Sequence, residues 1–512
     1  YCRFYLKNIR AKKQAEKFAL DCARKILDPL EAVRIMSKRG FCAYEAIKKV
    51  LHRIDVFLGT YHYIFDPKIR HTLLKGLGVD LSRIYIIVDE AHNLPSFARE
   101  LLSDRLTRFV VEGALKETER FNHEMQESVW AQLSILMEEI FDRARQTLKS
   151  DELKQISPQE ISDLILEKSG IPSLKAACIL KEYGEYVKEK RLETGSERVF
   201  SYNFRVGSFM EHFFENDGKN YIHLLSKGSG NRIALEVKGF DGRGMTAPIL
   251  QQARGSILMS GFLSPLTAYK DLTLSEPANV CLKEFNSPFS PENRLMLIAK
   301  DVSSEFKRRT DEMLEKLRGH IEAISDNNQG NVAAFFTSYG LMHRILPALD
   351  INRNKIIEQQ KTTENEVIRQ LSKSTDNLLC GVMGGKLSEG VDYPNNILTC
   401  VVAVGLPYAT WDIYQKALIY YLERNFPKNG RIYGYLVPAI LRLVQTCGRV
   451  HRSPNDKGCI IILDRRVAHP NITQLLPKYF QNEIKVTNNQ ADSARQVRDF
   501  WYAHSLKLRT SV

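Results

Sequence analysis

The sequence has no long apolar run, since no stretch approaches the roughly 18 consecutive apolar residues that a bilayer-spanning helix requires. Residues 1–30 are basic throughout and lack the apolar core of a signal peptide. These absences argue against membrane insertion and secretion. We therefore expect an intracellular protein with no membrane partner, cytoplasmic in a prokaryote or nuclear in a eukaryote.

Paired C-x-x-C spacing is also absent. The nine cysteines are odd in number and scattered, which fits a reducing compartment better than a disulfide scaffold. They are Cys2, Cys22, Cys42, Cys178, Cys281, Cys380, Cys400, Cys447 and Cys459.

A phosphate-binding loop is the third absence, because no stretch of the 512 residues satisfies G-x-x-x-x-G-K-S/T. The nearest approach is the glycine-punctuated turn Gly384–Pro394, where Leu387 follows Lys386 in place of serine or threonine. Glycines at such a turn let backbone amides approach a ligand closely.

Composition indicates several globular domains, with 44% hydrophobic and 26% charged residues in 512. Lysine and arginine exceed aspartate and glutamate by 73 − 60 = 13. Residues 1–60 hold 14 basic and 6 acidic side chains, a surplus of 8. A basic surplus is modest evidence for a polyanionic partner, against the alternative of a solvated basic surface.

The hydrophobic pattern alternates strands with helices and so predicts a doubly wound parallel sheet. Ile84–Val88 is apolar on both alternations, which predicts a strand buried on both faces, and Ile54–Leu58 also resembles a strand. Residues 100–205 carry long polar helical patterns typical of an inserted helical domain. Further predicted strands are Ile257–Met259, Met296–Ile298, Val332–Phe336, Leu378–Val382, Thr399–Val404 and Cys459–Leu463, and predicted helices include residues 11–39 (broken near Pro29), Val129–Lys149, Ser304–Ile324 and Glu364–Ser372.

In the run Ile86–His92, the carboxylates of Asp89 and Glu90 lie at the carboxyl end of a predicted strand. Open α/β sheets bind ligands at this end of their strands. In a nucleotidase Asp89 would hold Mg²⁺ and Glu90 would polarise the attacking water, with His92 close to the nucleotide. A strand followed by a solvated acidic turn is an equally good interpretation of these residues alone.

A second cluster, Gln445–Arg452, strengthens the nucleotide interpretation. Gln445, Arg449 and Arg452 are spaced i, i+4 and i+7, so on a helix they would share one face. Arginine forks suit phosphate oxygens and a transferring phosphoryl group. The alternative is an exposed basic helix end.

Together these residues resemble a known family. Asp89-Glu90-Ala91-His92, Ser260-Gly261, Gly384–Pro394 and Gln445–Arg452 occur in the order of superfamily 2 helicase motifs. Over nearly the whole chain, the sequence is similar to the XPD-like iron–sulfur DNA helicases of the DEAH type. The segments closest to that branch are Tyr61–Pro67, Gly405–Pro407 and Ile462–Arg466.

The resemblance implies two RecA-like α/β domains with an inserted helical arch and part of an iron–sulfur domain. Implied bounds are 1–53 for the iron–sulfur remnant, 54–100 and 206–270 for the first RecA-like domain, 101–205 for the arch and 271–512 for the second. ATP and Mg²⁺ would bind between the RecA-like domains, with catalytic Asp89, Glu90, His92, Arg449 and Arg452 and ATP-binding Gln445, Gly390 and Asp392. Since the chain starts at Tyr1 and lacks a phosphate loop, we expect a truncated, ATPase-inactive part of a longer protein.

The family also implies a 4Fe-4S cluster, for which Cys2 and Cys42 match the third and fourth ligands. The other two ligands would lie upstream of Tyr1. By themselves two distant cysteines are more simply buried thiols, and Cys22, at a helical apolar position, is expected to be core. Ala43 stands where the family often has proline.

The implied substrate is single-stranded DNA or a fork, translocated 5′ to 3′ in nucleotide excision repair or related repair, with repair proteins docking on the arch. Tyr44 and Lys48 would line the DNA pore, although Tyr44 could equally be a packed aromatic. Lys307, Arg308, Ser338 and Tyr339 would contact DNA from the second domain. Phe262 replaces an expected hydroxyl residue after Gly261, so the hydroxyl that would link nucleotide and DNA contacts in the family is absent at this position. A non-catalytic single-strand-binding scaffold and a DEAH RNA helicase are the alternatives.

Overall fold

The computed structural model of the protein describes residues 3–25, 28–194, 199–216, 218–275, 279–359 and 361–510, so the predicted ligand Cys2 lies outside the described residues. The chain divides into two units, which are taken in turn below. Unit 1 comprises Tyr1–Gly261, Tyr269–Asn279 and Asp412–Ala417, and unit 2 comprises Phe262–Ala268, Val280–Trp411 and Leu418–Val512. Among the helices of the described ranges, none is long and apolar enough to cross a membrane.

Four short helices open unit 1, and the last three of them share a small core around Ala19, Met36 and Phe41. The predicted break at Pro29 is confirmed, because Asp28 caps the following helix by accepting hydrogen bonds from two backbone amides. Gly40 ends that helix with a left-handed φ of 78°. The helices are α1 (Arg3–Arg10), α2 (Lys12–Arg24), α3 (Pro29–Lys38) and α4 (Ala43–Lys48).

The segment after α4 corrects one prediction, since Ile54–Leu58 forms no strand. Val56 is 73% and Leu58 90% exposed, and no strand of the described residues pairs with the segment. The chain then forms α5 (His62–Phe65), α6 (Pro67–Leu77), β1 (Tyr85–Val88) and α7 (Leu94–Leu101).

A separate core within unit 1 runs from Leu106 to Val237 and packs helices against an antiparallel sheet of order β2-β5-β4-β3. The helices were expected, whereas the sequence does not predict this sheet. One helical stretch, Leu136–Asp142, is a π-helix. The elements are β2 (Asp104–Thr107), α8 (Arg108–Arg120), α9 (Gln126–Ile135), α10 (Arg143–Thr147), β3 (Glu152–Gln155), α11 (Pro158–Ser169), α12 (Ser173–Glu193), α13 (Tyr202–Glu215), β4 (Tyr221–Gly228) and β5 (Arg232–Gly239).

The chain then returns through α14 (Arg243–Gln252) to β6 (Gly255–Leu258), which pairs in parallel with β1, and continues into α15 (Leu266–Thr273). The predicted burial of β1 on both faces is wrong. Ile86 and Val88 are buried, but Tyr85 is 69% and Ile87 64% exposed. Among the described residues the sheet has only these two strands, and the opposite face has no covering layer.

Unit 2 is built on a seven-stranded parallel sheet of order β13-β7-β12-β11-β8-β10-β9. Side chains on the two faces of β8 pack in different hydrophobic cores, Phe335 in one and Phe336 in the other, as a doubly wound sheet requires. This confirms the predicted architecture and five predicted strands. The polar edge strands β9 and β13 were not predicted.

The remaining elements, in chain order, are β7 (Arg294–Ala299), α16 (Asp311–Asn327), β8 (Asn331–Phe336), α17 (Tyr339–Ile345), β9 (Asn354–Ile357), α18 (Glu364–Lys373), β10 (Asn377–Val382), β11 (Leu398–Val404), α19 (Ile413–Asn425), α20 (Val437–Cys447), β12 (Gly458–Ile462), α21 (Pro470–Thr473), α22 (Lys478–Glu483), β13 (Lys485–Thr487) and α23 (Gln490–Thr510).

Two glycines allow α12 and α13 to pack at close range. A Cβ at Gly184 would lie 2.4 Å from the backbone nitrogen of Phe204, and one at Gly207 would lie 2.6 Å from the carbonyl oxygen of Ala177. Both obstacles are backbone atoms, so a side-chain rotation cannot relieve the clash.

We predict that Gly184→Ala destabilises this helical region by up to about 2 kcal/mol, because overpacking costs about 1–3 kcal/mol and alanine's helix propensity returns about 1 kcal/mol. Urea denaturation followed by the fluorescence of Trp130 on α9 measures the change. Gly244→Ala is the matched control, since Gly244 is also helical and a Cβ added there would meet nothing within 4 Å. A Gly184→Ala midpoint equal to or above that of Gly244→Ala would contradict the close packing.

Candidate functional site

The first candidate site lies where β1 and β6 end side by side. Met259 donates a backbone hydrogen bond to Val88 O (2.9 Å), and Ala91 donates one to Met259 O (3.0 Å). Parallel pairing therefore places the Asp89-Glu90 turn beside Ser260, although about 170 residues separate them in sequence. Both carboxylates lie at the surface, as predicted for residues at the carboxyl end of a strand.

Glu90 adopts left-handed backbone angles, with φ 48° and ψ 40°. For a residue other than glycine this conformation costs about 1–2 kcal/mol, so its surroundings must hold it there. The Glu90 amide donates to the Asp89 side chain at 2.8 Å, which fixes one end of the turn.

The hydroxyl of Tyr61 fixes the other side of the turn. It is shared between two successive carbonyl oxygens, those of Asp89 at 2.6 Å and Glu90 at 2.8 Å. Burial, reinforced by the negative charges of Glu90 and Asp89, raises the pKa of Tyr61 to about 12, so the hydroxyl keeps its proton at physiological pH. Tyr61 was not among the predicted site residues; its place in the Tyr61–Pro67 segment was the available signal.

His92, Ser260 and Glu90 form a hydrogen-bonded group. The Ser260 hydroxyl donates to Glu90 Oε2 at 3.0 Å and lies 2.7 Å from His92 Nδ1. Burial lowers the pKa of His92 despite the opposing influence of Glu90 and Asp89, so the ring is neutral at neutral pH. A neutral ring with its proton on Nδ1 fits this geometry, since the Ser260 oxygen can accept from His92 while its hydroxyl donates to Glu90. Three of the predicted motif residues are thus brought together in unit 1.

The second candidate site, in unit 2, gathers the predicted arginines around one carbonyl. Val391 O accepts from Arg449 Nη1 at 2.7 Å and from Arg452 Nη2 at 3.1 Å. Arg452 Nε also lies 3.4 Å from Asp392 Oδ1. The structure therefore groups Arg449, Arg452 and Asp392, with Gln445 one turn earlier on α20.

The expectation of a single helical face for this cluster is wrong. Helix α20 ends at Cys447 with Gly448 as its C-cap, so only Gln445 is helical. Arg452 instead begins a turn in which the Asp456 carboxylate accepts from its backbone amide at 2.7 Å. The arginines converge because of this turn and Val391, rather than because of helical periodicity.

A buried carboxylate supports the glycine turn after β10. Glu358 is 4% exposed and accepts a hydrogen bond from the Val382 amide at 2.9 Å. A Cβ at Gly381 or Gly385 would lie 2.8 Å from a Glu358 carboxylate oxygen, and at Gly385 it would also lie 2.8 Å from the backbone oxygen of Val382, so Gly385 in particular needs glycine. Gly390, a predicted ATP-binding residue, has a left-handed φ of 79°. The sequence shows these glycines but does not identify Glu358 as their partner.

The four DNA-contact candidates of unit 2 follow the carboxyl ends of β7 and β8, and so lie along the same edge of the sheet. Ser338 caps α17 by accepting from the Leu341 amide at 3.2 Å, and Tyr339 is 46% exposed. Burial, followed by the charge of Glu358 and a hydrogen bond to it, raises the pKa of Tyr339. Lys307 and Arg308 lie in a short turn with exposed Phe306.

Phe262 occupies a different environment from the residues just before it. It is 6% exposed and packs in the core of unit 2, whereas Ser260 belongs to unit 1. The hydroxyl that interacts with Glu90 is therefore that of Ser260, and Phe262 contributes an apolar contact instead.

Tyr408, Tyr435 and Arg466 form a further aromatic and basic group that was not among the predicted site residues. Tyr408 lies in the loop after β11. Tyr408 stacks on Tyr435 with ring centroids 4.6 Å apart, and the Arg466 guanidinium lies 5.2 Å from the Tyr408 ring. Burial alone would raise the pKa of Asp464, but hydrogen bonds and the charge of Arg466 lower it. Arg466 is thus held as an ion-paired guanidinium beside the rings.

In the N-terminal helices, Cys42 directly precedes α4 and is clamped by Asn8. The Asn8 amide donates to Cys42 O and its oxygen accepts from Cys42 N, both at 2.8 Å, and Asn8 is 1% exposed. Tyr44 on α4 is 58% exposed, which argues against the packed-aromatic alternative, and Lys48 Nζ lies 5.0 Å from its ring centroid. Cys22 is in the core, as expected, and burial raises the pKa of its thiol.

Among the residues that the structure describes, no three histidine, cysteine or acidic side chains come together to hold a metal. Of the two predicted cluster ligands only Cys42 lies in those ranges. Its partial exposure and its place just before a helix suit a ligand better than the buried position of Cys22 does.

Comparisons with known proteins agree with this arrangement. The family model DEAD_2 matches residues 1–111, and a family model described as a helicase C-terminal domain matches residues 321–483. The two matched regions contain the two candidate sites, apart from Ser260.

Similar proteins include the "ATP-dependent DNA helicase XPD" of Sulfolobus acidocaldarius, 24% identical over 86% of this chain and 75% of that protein. The "ATP-dependent DNA helicase chl1" of Neosartorya fischeri is 24% identical over 94% of this chain and 62% of its own length. The bovine "Regulator of telomere elongation helicase 1" is 25% identical over 98% of this chain, which spans 48% of that relative.

Solved structures support the fold. The structure titled "XPD_Helicase" has a TM-score of 0.60 at 21% identity, covering 90% of this chain and 78% of its own. The S. tokodaii Xpd4 structure has a TM-score of 0.61 at 22% identity, covering 84% and 81%. With both family models matched, the chain belongs to the XPD-like family of ATP-dependent DNA helicases.

Proposed function

We propose that this chain acts in an ATP-driven helicase that translocates 5′ to 3′ along single-stranded DNA or a fork in nucleotide excision repair or a related repair process. The observation that carries the proposal is the hydrogen-bonded group of His92, Ser260 and Glu90 at the ends of β1 and β6. A solvated acidic turn, the alternative for these carboxylates, would not need a neutral buried histidine and a serine from a distant strand.

In unit 1, Asp89 is a surface carboxylate of the kind that hydrated Mg²⁺ prefers, and Mg²⁺ when bound would neutralise phosphate charge. Glu90 would orient the attacking water. Its carboxylate is oriented by Ser260, which keeps one oxygen engaged and leaves Glu90 Oε1 as the second acceptor. His92 stays neutral and holds Ser260 in place, so a change at the nucleotide would pass to β6 through this hydroxyl.

In unit 2, Arg449 and Arg452 would contact the phosphates. Val391 O orients both guanidiniums, and Gly390 beside it gives the backbone the left-handed turn that this placement needs. Planar guanidiniums give directional, charge-assisted hydrogen bonds to phosphate oxygens. Asp392 pairs with Arg452, and we assign Gln445, Gly390 and Asp392 to the same nucleotide-binding surface.

DNA contacts are assigned to Tyr44 and Lys48 in the N-terminal helices and to Lys307, Arg308, Ser338 and Tyr339 in unit 2. Exposed aromatic rings stack on bases of any sequence, and basic side chains attract the backbone. The surplus of 8 basic residues within residues 1–60 supports this assignment. The helical core between Leu106 and Val237 is the proposed docking region for repair proteins.

We also propose that Cys42 and Cys2 hold part of a 4Fe-4S cluster, which when bound would tie together the N-terminal helices. Asn8 supports this assignment, because its clamp fixes the backbone of Cys42 against α1, the helix that Cys2 immediately precedes. The remaining thiolates would come from residues outside this sequence.

A non-catalytic single-strand-binding scaffold is the second candidate. It is favoured by one observation, the absence of G-x-x-x-x-G-K-S/T from the 512 residues. Phosphoryl transfer needs the β- and γ-phosphates held by backbone amides and a lysine, with a hydroxyl on Mg²⁺.

We predict that residues 1–512 alone neither hydrolyse ATP nor unwind DNA, while still binding single strands weakly and in a salt-sensitive way. The assay compares this chain with the same protein extended upstream through a phosphate loop, with single-stranded DNA present. Equal ATPase rates in the two would contradict the need for an external loop, and an extended protein without ATPase activity would favour the scaffold.

Arg452→Ala in the extended protein should lower the turnover number of DNA-stimulated ATP hydrolysis on the order of 1,000-fold, the lower end of the effect of other arginines that stabilise a transferring phosphoryl group. The affinity for single-stranded DNA and its salt slope should stay nearly unchanged. Arg498→Ala, which removes an exposed arginine from α23, is the charge-matched control. A large loss of DNA affinity with normal turnover would place Arg452 on the DNA path instead.

Iron content tests the cluster. The extended protein, purified anaerobically, should contain iron and acid-labile sulfide with visible absorption, and Cys42→Ser should lose most of both. Cys22→Ala is the control and should retain them, because Cys22 lies in the core. Colourless protein with stoichiometric zinc would show that the cysteines serve another metal.

A further inference from the structure

Tyr61 makes an unusual contact for a partly buried tyrosine. Its single hydroxyl lies 2.6 Å from Asp89 O and 2.8 Å from Glu90 O, within hydrogen-bonding distance of both. In a continued strand two successive carbonyls would point to opposite edges. Both reach one hydroxyl here because the backbone at Glu90 is left-handed.

The ring of Tyr61 is itself fixed on two sides. It makes edge contacts with Phe65 and Phe97, with centroids 6.3 Å and 5.3 Å away. Phe65 is fully buried on α5, and Phe97 lies on α7, which follows the Asp89-Glu90 turn. Helices α5 and α7, which lie before and after the turn in the sequence, therefore position the hydroxyl against the turn.

We propose that Tyr61 is a positioning residue that holds the Asp89-Glu90 turn in its left-handed conformation, so that both carboxylates face the nucleotide. The hydroxyl stabilises this conformation by binding two carbonyls that come together only there. Its catalytic consequence rests on the function proposed above, whereas its effect on the turn does not.

The neighbouring residue Tyr63 provides a matched control. Its ring packs on Phe57 with centroids 5.1 Å apart, and within the described ranges its hydroxyl makes no hydrogen bond. Tyr61→Phe and Tyr63→Phe each remove one oxygen and keep the ring, but only the first removes a contact with the turn.

The first test measures amide hydrogen exchange in this chain by mass spectrometry with residue-level fragmentation. The Ala91 amide, which donates to Met259 O at 3.0 Å, reports on the turn. Tyr61→Phe should speed its exchange about tenfold, the loss expected for one hydrogen bond, while Tyr63→Phe leaves it unchanged. Amides of β8 in unit 2 serve as the internal reference. Faster exchange there would mark global unfolding, and equal Ala91 exchange in both variants would overturn the proposal.

The second test uses the protein extended through a phosphate loop. Tyr61→Phe should lower kcat for DNA-stimulated ATP hydrolysis about tenfold and leave KM for ATP within about twofold, because misdirected carboxylates affect the reaction more than binding. A raised KM with unchanged kcat would overturn the positioning role. An unmutated extended protein without ATPase activity would refute the proposed function, and Ala91 exchange would still decide whether Tyr61 holds the turn.

Discussion

The candidate site of unit 1 depends on the parallel pairing of β1 with β6. That pairing sets Val88 beside Leu258, and the residues that follow each strand then meet at one edge. Glu90 and Ser260 approach to 3.0 Å in this way. The residues between the strands do not disturb the pairing, because they bury their own core from Leu106 to Val237. A large insertion can thus interrupt the sequence of the site without interrupting its geometry.

In unit 2 as well, the residues that follow parallel strands meet at one end of the sheet, which here has seven strands. Its central strands are buried on both faces and fixed by packing, and several of the candidate site residues lie in the loops that follow the strands. The carboxylate of Glu358 takes the space that side chains at Gly381 and Gly385 would need. Those glycines therefore serve two purposes: they allow a tight turn, and they leave room for a buried acid that supports the turn through the Val382 amide.

Hydrophobic periodicity predicted those strands of the fold whose side chains are buried on both faces of the sheet. Strands such as Val332–Phe336 are apolar on both alternations because both faces are covered, and these were identified. The antiparallel strand Tyr221–Gly228 carries histidine, serine and lysine, so its pattern does not stand out. Ile86 and Ile87 look alike in sequence, but only the first is covered among the described residues. Burial on a given face depends on neighbouring layers, which local sequence does not specify.

Within the candidate sites, the charged residues could be identified from sequence because their chemistry is specific. Tyr61 and Glu358, which hold them in place, could not, because they act through contacts between distant segments; Ser260 was recognised as part of a motif, but its contact with Glu90 was not predicted. The Gln445–Arg452 cluster shows a related limit. Arg449 and Arg452 do come together, but the helical face predicted to align them is absent, and they converge on Val391 O after the helix has ended.

The left-handed backbone of Glu90 restricts which residues this position tolerates. Glycine would adopt the conformation without strain, but it would remove the carboxylate that the chemistry requires. Aspartate and asparagine tolerate the conformation better than glutamate, but their shorter side chains would withdraw the oxygen from Ser260. At Glu90, therefore, backbone strain is accepted because only a side chain of this length brings the carboxylate to Ser260. Substitutions that stabilise this turn are therefore expected at the residues around Glu90 rather than at Glu90 itself.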